Sequence, residues 1–146
     1  MKRILIFDAY PSIRELLAEE LAGEGNMVVP VGNPDLIPEL INTFDPDLFI
    51  LDPYIRGGMT WELFDAVKMK NPDLPILLFT HWAAPDPHFD RAEAHLPKSY
   101  SLEKLNAAVK KIPDRKMRES SWRKVSLPKK SENNSPASLK KAGPCG

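Results

Sequence analysis

The sequence predicts an α/β fold in which a parallel β-sheet is covered by helices on both faces. Runs of four consecutive apolar residues occur at residues 4–7, 48–51 and 76–79, and each run is followed by a polar residue. Short, fully apolar runs are typical of strands buried on both faces of a parallel sheet. Segments with helical spacing of apolar residues separate these runs. Such alternation of strand and helix is the pattern of a doubly wound sheet.

The helix after the first strand has recognisable signals at both ends. Ser12 and Glu15 have the S-x-x-E spacing of a capping box, in which two side chains satisfy free N–H groups at a helix start. Gly23 and Gly25 follow the last residues with helical spacing, and glycine commonly ends a helix. We therefore predict a first helix that begins near Ser12 and ends near Gly23.

Two further strands and a second helix follow. Residues 27–31 are predicted to form the second strand, and Pro30 places it at a sheet edge because proline has no N–H for a central ladder. A second helix is predicted over residues 34–43, where apolar residues recur at helical spacing. The apolar run at residues 48–51 is the third strand.

The last third of the predicted fold is less regular. Thr60 is a candidate N-cap for the third helix, and the fourth strand is expected at residues 75–79. Two prolines delay the start of the fourth helix to about Asp86. A short fifth strand at residues 94–97 and an amphipathic fifth helix at residues 102–112 complete the pattern.

Polar residues stand directly after four of the five predicted strands. Asp8 follows the first strand, Asp52 the third, Thr80 the fourth and Lys98 the fifth. Because ligands of open α/β sheets bind at the carboxyl ends of the strands, these side chains are expected to converge there. Two acids, a hydroxyl and a lysine at one edge are suited to phosphoryl transfer.

Composition divides the chain into two parts. Residues 1–112 contain 11 Lys and Arg and 17 Asp and Glu, which gives a net charge of −6. Residues 113–146 contain 9 Lys and Arg and 3 Asp and Glu, which gives a net charge of +6. The second part has few large apolar residues and is predicted to be a disordered basic tail. Its lysine and arginine doublets could attract nucleic acid or an anionic membrane. Because Trp122 is its only aromatic residue, a solvated tail is favoured and nucleic acid is not an expected partner.

The compartment follows from cysteine usage and from the hydropathy pattern. Cys145 is the only cysteine, which excludes an intrachain disulfide and fits a reducing compartment. Lys2 and Arg3 precede only four apolar residues, too few for a signal-peptide core. No run approaches the roughly 18 apolar residues of a membrane span. A cytoplasmic protein is therefore expected.

The four strand-end motifs together resemble the receiver domain of bacterial two-component response regulators, the CheY-like family. The matching segments are Ile-Phe-Asp-Ala-Tyr around Asp8, Leu-Phe-Ile-Leu-Asp ending at Asp52, Leu-Leu-Phe-Thr ending at Thr80 and Leu-Pro-Lys-Ser around Lys98. The resemblance covers residues 2–112. It implies a flavodoxin-like fold with a five-stranded parallel sheet in the order 2-1-3-4-5.

The resemblance also implies function. It points to a single-domain response regulator in phosphorelay signal transduction, rather than an enzyme, that receives a phosphoryl group from a sensor histidine kinase or a phosphotransfer protein. Its output would be contact with a downstream protein through the fourth helix, fifth strand and fifth helix. Asp52 would be the phosphoacceptor, with Thr80 and Lys98 binding phosphoryl oxygens. Mg²⁺ would be held by Asp8, Asp52 and the backbone carbonyl of Tyr54.

One departure from the family pattern bears on the metal. Ala9 stands where the family has a second acid that contacts the ion directly. Since the loss of an outer-shell partner already costs roughly 10 to 100-fold in metal affinity, the loss of a direct ligand should cost at least that. We therefore expect weak Mg²⁺ binding.

Two alternatives remain open at this stage. The first is a degenerate receiver that acts as a phosphorylation-independent interaction module, which Ala9 favours. The second is a phosphatase with an aspartate nucleophile, a class that needs an acid two residues after the nucleophile. Tyr10 and Tyr54 occupy those positions after Asp8 and Asp52, which disfavours the phosphatase. No glycine-rich phosphate-binding motif follows any strand, which disfavours nucleotide binding.

Overall fold

The computed structural model describes residues 1–55, 57–59, 61–81, 86–98 and 101–114. The predicted N-cap Thr60 and the predicted basic tail from residue 115 onward lie outside these residues. Within the described ranges, no helix is both long and apolar enough to cross a bilayer.

A five-stranded parallel sheet forms the centre of the domain at residues 1–114. The described strands are Arg3–Phe7 (β1), Met27–Val31 (β2), Leu48–Leu51 (β3), Tyr54–Ile55 (β4), Gly58–Met59 (β5), Ile76–Thr80 (β6) and Ala94–Pro97 (β7). In the sheet the strands occur in the order β2-β1-β3-β6-β7, and every neighbouring pair is parallel. The two very short strands β4 and β5 form a separate antiparallel hairpin. Because β6 and β7 are therefore the fourth and fifth strands of the sheet along the chain, the predicted order 2-1-3-4-5 is confirmed.

In the described part of the chain, four α-helices connect the strands of the sheet and a fifth follows the last strand. A single 3₁₀ turn over Pro34–Leu36 precedes the second helix, and its N-cap Asn33 accepts a hydrogen bond from the Asp35 amide at 3.0 Å. The helix bounds are Pro11–Gly23 (α1), Ile37–Phe44 (α2), Glu62–Lys70 (α3), Pro87–Arg91 (α4) and Leu102–Lys111 (α5).

The predicted capping box at the start of α1 is wrong. The helix begins at Pro11, its N-cap is Tyr10, and no side chain caps it. Proline is well suited to this first position because its φ is fixed near the helical value and the N–H that it lacks would have no partner within the helix. Ser12 and Glu15 consequently lie inside the first turns of the helix and not at its cap.

The hairpin of β4 and β5 is a feature that the sequence analysis did not predict. Gly57, which joins the two strands, has a φ of 84°, a left-handed conformation that glycine adopts without the steric cost of a side chain. The hairpin begins two residues after Asp52 and therefore shapes the loop at the carboxyl end of β3.

The core lies on both faces of the sheet, as a doubly wound fold requires. Residues of β1 alternate between the two sides: Leu5 and Phe7 face the layer containing α2 and α3, whereas Ile4 and Ile6 face the layer containing α1 and α5. All four side chains are at most 1% exposed. Each such burial contributes roughly 1.5 to 3 kcal/mol.

The short helix α4 is held to α3 by a histidine between two acids. The Nδ1 atom of His88 lies 2.6 Å from Asp86 Oδ1, and its Nε2 atom lies 3.0 Å from Asp65 Oδ1. The ring also stacks on Trp61, with 4.4 Å between ring centroids. Asp86 is the N-cap of α4, and its Oδ1 atom accepts a hydrogen bond from the His88 amide at 2.8 Å. The predicted helix start near Asp86 is therefore confirmed.

Candidate functional site

The carboxyl ends of β1, β3, β6 and β7 bring the four predicted polar residues to one edge of the sheet. Backbone pairing continues beyond the strands, since the Asp52 amide donates to the Phe7 carbonyl and the Lys98 amide donates to the Thr80 carbonyl, each at 3.1 Å. Asp8 directly follows β1. The positions of these side chains are thus fixed by the sheet and do not depend on long loops.

Lys98 bridges the two predicted acids. Its Nζ atom lies 2.6 Å from Asp8 Oδ2 and 2.6 Å from Asp52 Oδ2. The three side chains are buried, with exposures of 3% for Lys98, 1% for Asp8 and 3% for Asp52. Charge-assisted hydrogen bonds of this length are among the stronger polar contacts in proteins. We call these three residues the acid-lysine triad.

The remaining carboxylate oxygens of the triad bind backbone amides. Asp8 Oδ1 accepts a hydrogen bond from the Tyr10 amide at 2.9 Å, and Asp52 Oδ1 accepts one from the Tyr54 amide at 3.0 Å. In both cases an aspartate bonds the backbone two residues further on, which is the arrangement of an Asx turn. Each carboxylate therefore has one oxygen held by its own loop and the other by Lys98.

Opposing effects act on the pKa of Lys98. Burial alone would lower the pKa of this ammonium group, but hydrogen bonds and charge from Asp52 and Asp8 outweigh burial and raise it above its ordinary value. The lysine is therefore a cation at neutral pH. The formal charges of the three residues sum to −1.

A cleft of about 480 Å³ opens beside Asp52. Thr80 lines the same cleft and is only 1% exposed, so the residue with the predicted hydroxyl and the predicted phosphoacceptor share one space. The Tyr10 ring forms part of its wall and lies with its centroid 5.6 Å from Lys98 Nζ. The cleft is lined by Tyr10, Ser12, Ile13, Asp52, Tyr54, Thr80 and His81.

Some residues of the cleft were not singled out as site residues from the sequence. Ser12 and Ile13 were assigned only to the start of α1, yet they line the cleft because the helix begins directly above the strand ends. Their position after the strand-end acid Asp8 was the available signal. His81, which directly follows Thr80 in the chain, also lines the cleft and has an exposed side chain.

The donor atoms at the triad are of the type that a hard divalent cation binds. Asp8 and Asp52 provide carboxylate oxygens that converge on one point, and Mg²⁺ prefers oxygen ligands. Lys98 already contacts one oxygen of each carboxylate, so it competes with any cation for them. Among the residues that the structure describes, no group of three or more His, Cys, Asp or Glu side chains could hold a metal ion.

Solved structures with this fold identify the family. The response regulator TrrA from Thermotoga maritima, in complex with Mg²⁺-BeF, is 33% identical to the chain, with a TM-score of 0.70, and the match covers 77% of this chain and 100% of TrrA. The chain belongs to the response-regulator receiver family. Receiver domains are signalling domains, and the role of this receiver is that of a two-component response regulator.

Two further solved structures are similar to this receiver. TrrA in complex with the histidine kinase ThkA is 33% identical, with a TM-score of 0.69 and coverage of 77% of this chain and 98% of that one. CheY4 from Vibrio cholerae, a chemotaxis protein, is 22% identical with a TM-score of 0.69, covers 77% of this chain and 99% of that one, and shows the fold alone. No protein-family model matches the sequence, and a search of curated proteins gives no match.

Proposed function

We propose that this receiver accepts a phosphoryl group on Asp52 and transmits the signal by contact with another protein. The observation that carries the proposal is the position of Asp52 at the end of the central strand β3, where it contacts Lys98 and shares a cleft with Thr80. An ionised carboxylate at such a position is a competent nucleophile toward phosphorus.

The chemistry follows from the two oxygens of Asp52. The Tyr54 amide fixes Oδ1, and Lys98 binds Oδ2. As an oxygen of Asp52 attacks a phosphohistidine donor, the new oxygen–phosphorus bond forms and the nitrogen–phosphorus bond breaks. The leaving imidazole keeps the electron pair and takes up a proton, and Asp52 becomes an acyl phosphate.

Lys98 and Thr80 then have binding and positioning roles. Because Lys98 also contacts Asp8 at 2.6 Å, it can transfer its contact from Asp52 to a phosphoryl oxygen while it stays anchored at the site. Thr80 lines the same cleft, and its hydroxyl would donate to a second phosphoryl oxygen. Positioned donors of this kind stabilise the charge that develops on the transferred group.

A magnesium ion is part of the proposal, in keeping with the TrrA complex with Mg²⁺-BeF. Asp8, Asp52 and the backbone carbonyl of Tyr54 would hold it, and when bound it would neutralise charge on the phosphoryl oxygens. Ala9 contributes no carboxylate, and Lys98 competes for the two that are present. We therefore propose that the binding is weak.

The proposed donor is a sensor histidine kinase or a phosphotransfer protein, since TrrA has been solved with the histidine kinase ThkA. The proposed output surface comprises α4, β7 and α5. It includes a stacked pair, Phe89 on α4 and His95 on β7, whose ring centroids are 4.1 Å apart. We further propose a cytoplasmic, single-domain regulator with a receiver domain at residues 1–112 and a basic tail at residues 113–146.

A second candidate function is a phosphorylation-independent interaction module. It is favoured by the acid-lysine triad, in which Lys98 binds one oxygen of each carboxylate, and by Ala9, which supplies no acid. In such a module, phosphodonors would leave the protein unmodified and the output surface would bind its partner constitutively.

Intact-mass spectrometry after incubation with acetyl phosphate and Mg²⁺ separates the two candidates. The wild type should gain one phosphoryl group, and the Asp52→Asn variant should gain none. Asp73→Asn, which changes an exposed acid in the turn before β6, is the matched control and should behave as the wild type. A wild type that stays unmodified would support the interaction module, and an adduct on Asp52→Asn would remove Asp52 as the acceptor.

A further inference from the structure

Arg14, in the second turn of α1, contacts the segment that carries Asp8. Its Nη1 atom donates to the backbone carbonyl of Asp8 at 2.7 Å, and its own amide donates to the carbonyl of Tyr10 at 3.0 Å. The side chain and backbone of this one arginine therefore contact both ends of the segment 8–10. A guanidinium donor is always charged and planar, which favours a defined orientation at a carbonyl.

Gly32, directly after β2, provides the space for this guanidinium. A Cβ atom placed on Gly32 would lie 2.7 Å from Arg14 Cζ and 2.9 Å from Nη2, closer than non-bonded atoms approach. The φ angle of Gly32 is not positive, so its backbone conformation does not require glycine. Glycine at this position instead leaves room for the Arg14 guanidinium. The guanidinium thus lies against the backbone of the loop after β2.

The position of Asp8 depends on three contacts from three parts of the fold. Its carbonyl accepts from Arg14, its Oδ1 atom accepts from the Tyr10 amide, and its Oδ2 atom accepts from Lys98. Because Ala9 has no carboxylate, Asp8 is the only acid of the segment 8–10. A displacement of Asp8 therefore cannot be compensated by a neighbouring carboxylate.

We propose that Arg14 is a positioning residue for Asp8, and that the absence of a side chain at Gly32 keeps its guanidinium in place. This inference rests on the proposed function where it concerns phosphoryl transfer. Arg14 does not line the cleft beside Asp52, so it acts through the backbone of Asp8 rather than on the phosphoryl group. The loss of such supporting partners costs roughly 10 to 100-fold in metal affinity or activity.

The two residues allow the same contact to be broken from opposite sides. Arg14→Met removes the donor and keeps the apolar stem, whereas Gly32→Ala displaces the guanidinium and leaves the arginine in the chain. A guanidinium is the end of a flexible side chain, so Gly32→Ala should leave the melting temperature nearly unchanged. If the contact is what matters, Gly32→Ala has no further effect once Arg14 is methionine, which is the signature of coupled residues in a double-mutant cycle.

The experiment compares wild type, both single variants, the double variant and Arg14→Lys, using two measurements on each. The first is the ¹⁵N chemical shift and hydrogen exchange of the Tyr10 amide, which reports its bond to Asp8 and requires no phosphorylation. The second is the rate of Asp52 phosphorylation by acetyl phosphate as a function of Mg²⁺ concentration. We expect faster Tyr10 exchange and a rate lowered by about tenfold at limiting Mg²⁺ in both single variants, no further change in the double variant, and partial recovery with lysine.

Three results would overturn the inference. The first is an unchanged Tyr10 amide in Arg14→Met and Gly32→Ala, and the second is additive effects of the two substitutions. A lowered melting temperature with a normal rate would assign Arg14 a purely structural role, which also contradicts the inference. If the wild type itself accepts no phosphoryl group, the proposed function fails, and the Tyr10 measurements still decide whether Arg14 positions Asp8.

Discussion

Introducing an acid at Ala9 tests the proposed Mg²⁺ site. The formal charges of Asp8, Asp52 and Lys98 sum to −1, and Ala9→Asp would bring this sum to −2. The Ala9 side chain is only partly buried, so a carboxylate there can remain solvated in the absence of metal. We expect the substitution to strengthen Mg²⁺ binding because it adds a negatively charged oxygen ligand next to Asp8.

The magnitude can be bounded from both sides. Removal of an outer-shell partner costs roughly tenfold or more in metal affinity, and tenfold corresponds to about 1.4 kcal/mol. The Coulomb attraction between charges of +2 and −1 at ~4 Å is about 8 kcal/mol with an effective dielectric constant of about 20, before desolvation is subtracted. The Mg²⁺ affinity of Ala9→Asp should therefore exceed that of the wild type by at least about tenfold. Without metal, repulsion from Asp8 and Asp52 should make the variant slightly less stable than wild type.

Calorimetric titration with Mg²⁺ at fixed ionic strength measures the effect. Ala9→Asn is the matched control, since it has nearly the same shape without the charge and should bind Mg²⁺ close to the wild-type level. The phosphorylation rate of Ala9→Asp at limiting Mg²⁺ should rise in parallel with affinity. Equal and tight affinity in wild type and Ala9→Asp would mean that backbone and water complete the site, and the reasoning from Ala9 would be refuted.

Three further predictions concern stability. Lys98→Met should lower the free energy of unfolding by about 3 to 5 kcal/mol in urea titrations, because it leaves two buried carboxylates without a counter-charge; a loss below about 1 kcal/mol would contradict this account. The pKa of Asp86 is lowered, first by the hydrogen bond from the His88 amide and then by the bond from its ring, so Asp86 stabilises the fold above the ordinary carboxyl pKa and loses this contribution as the pH falls through its lowered value. The stability difference between wild type and Asp86→Ala should therefore narrow below about pH 4, and a difference that is constant from pH 3 to 7 would argue against it. Truncation after Ile112 should leave the melting temperature nearly unchanged, and a large drop would show that the basic tail docks on the domain.

Local patterns were sufficient to predict the sheet and most of its helices. The apolar runs at residues 4–7, 48–51 and 76–79 correspond to strands because side chains buried on both faces leave no room for polar residues. The capping box at Ser12 was wrong because Pro11 is the first helical residue, which makes Tyr10 the N-cap, two residues before Ser12; Pro11 itself was the sequence signal for this start. The hairpin around Gly57 was missed because its strands are too short to produce an alternating pattern.

The composition of the site was predictable, but its contacts were not. Strand ends placed Asp8, Asp52, Thr80 and Lys98 at one edge, as the structure shows. The Lys98 ammonium group binds both acids, although Lys98 lies 90 positions from Asp8 and 46 positions from Asp52 in the chain. No local sequence pattern predicts contacts between residues so far apart. The same holds for His88, whose ring is held between acids on two different elements.

The phosphoacceptor itself can be identified most directly by trapping the acyl phosphate. Borohydride reduces an aspartyl phosphate to homoserine, and peptide mass spectrometry then locates the modified residue. After incubation with a phosphorylated histidine kinase or with acetyl phosphate, we predict homoserine at Asp52 alone, with Asp8 and the other acids unchanged. Reduction at a different acid would contradict the claim that Asp52 is the acceptor. The claim would also be contradicted if the protein gained no phosphoryl group and no residue was reduced.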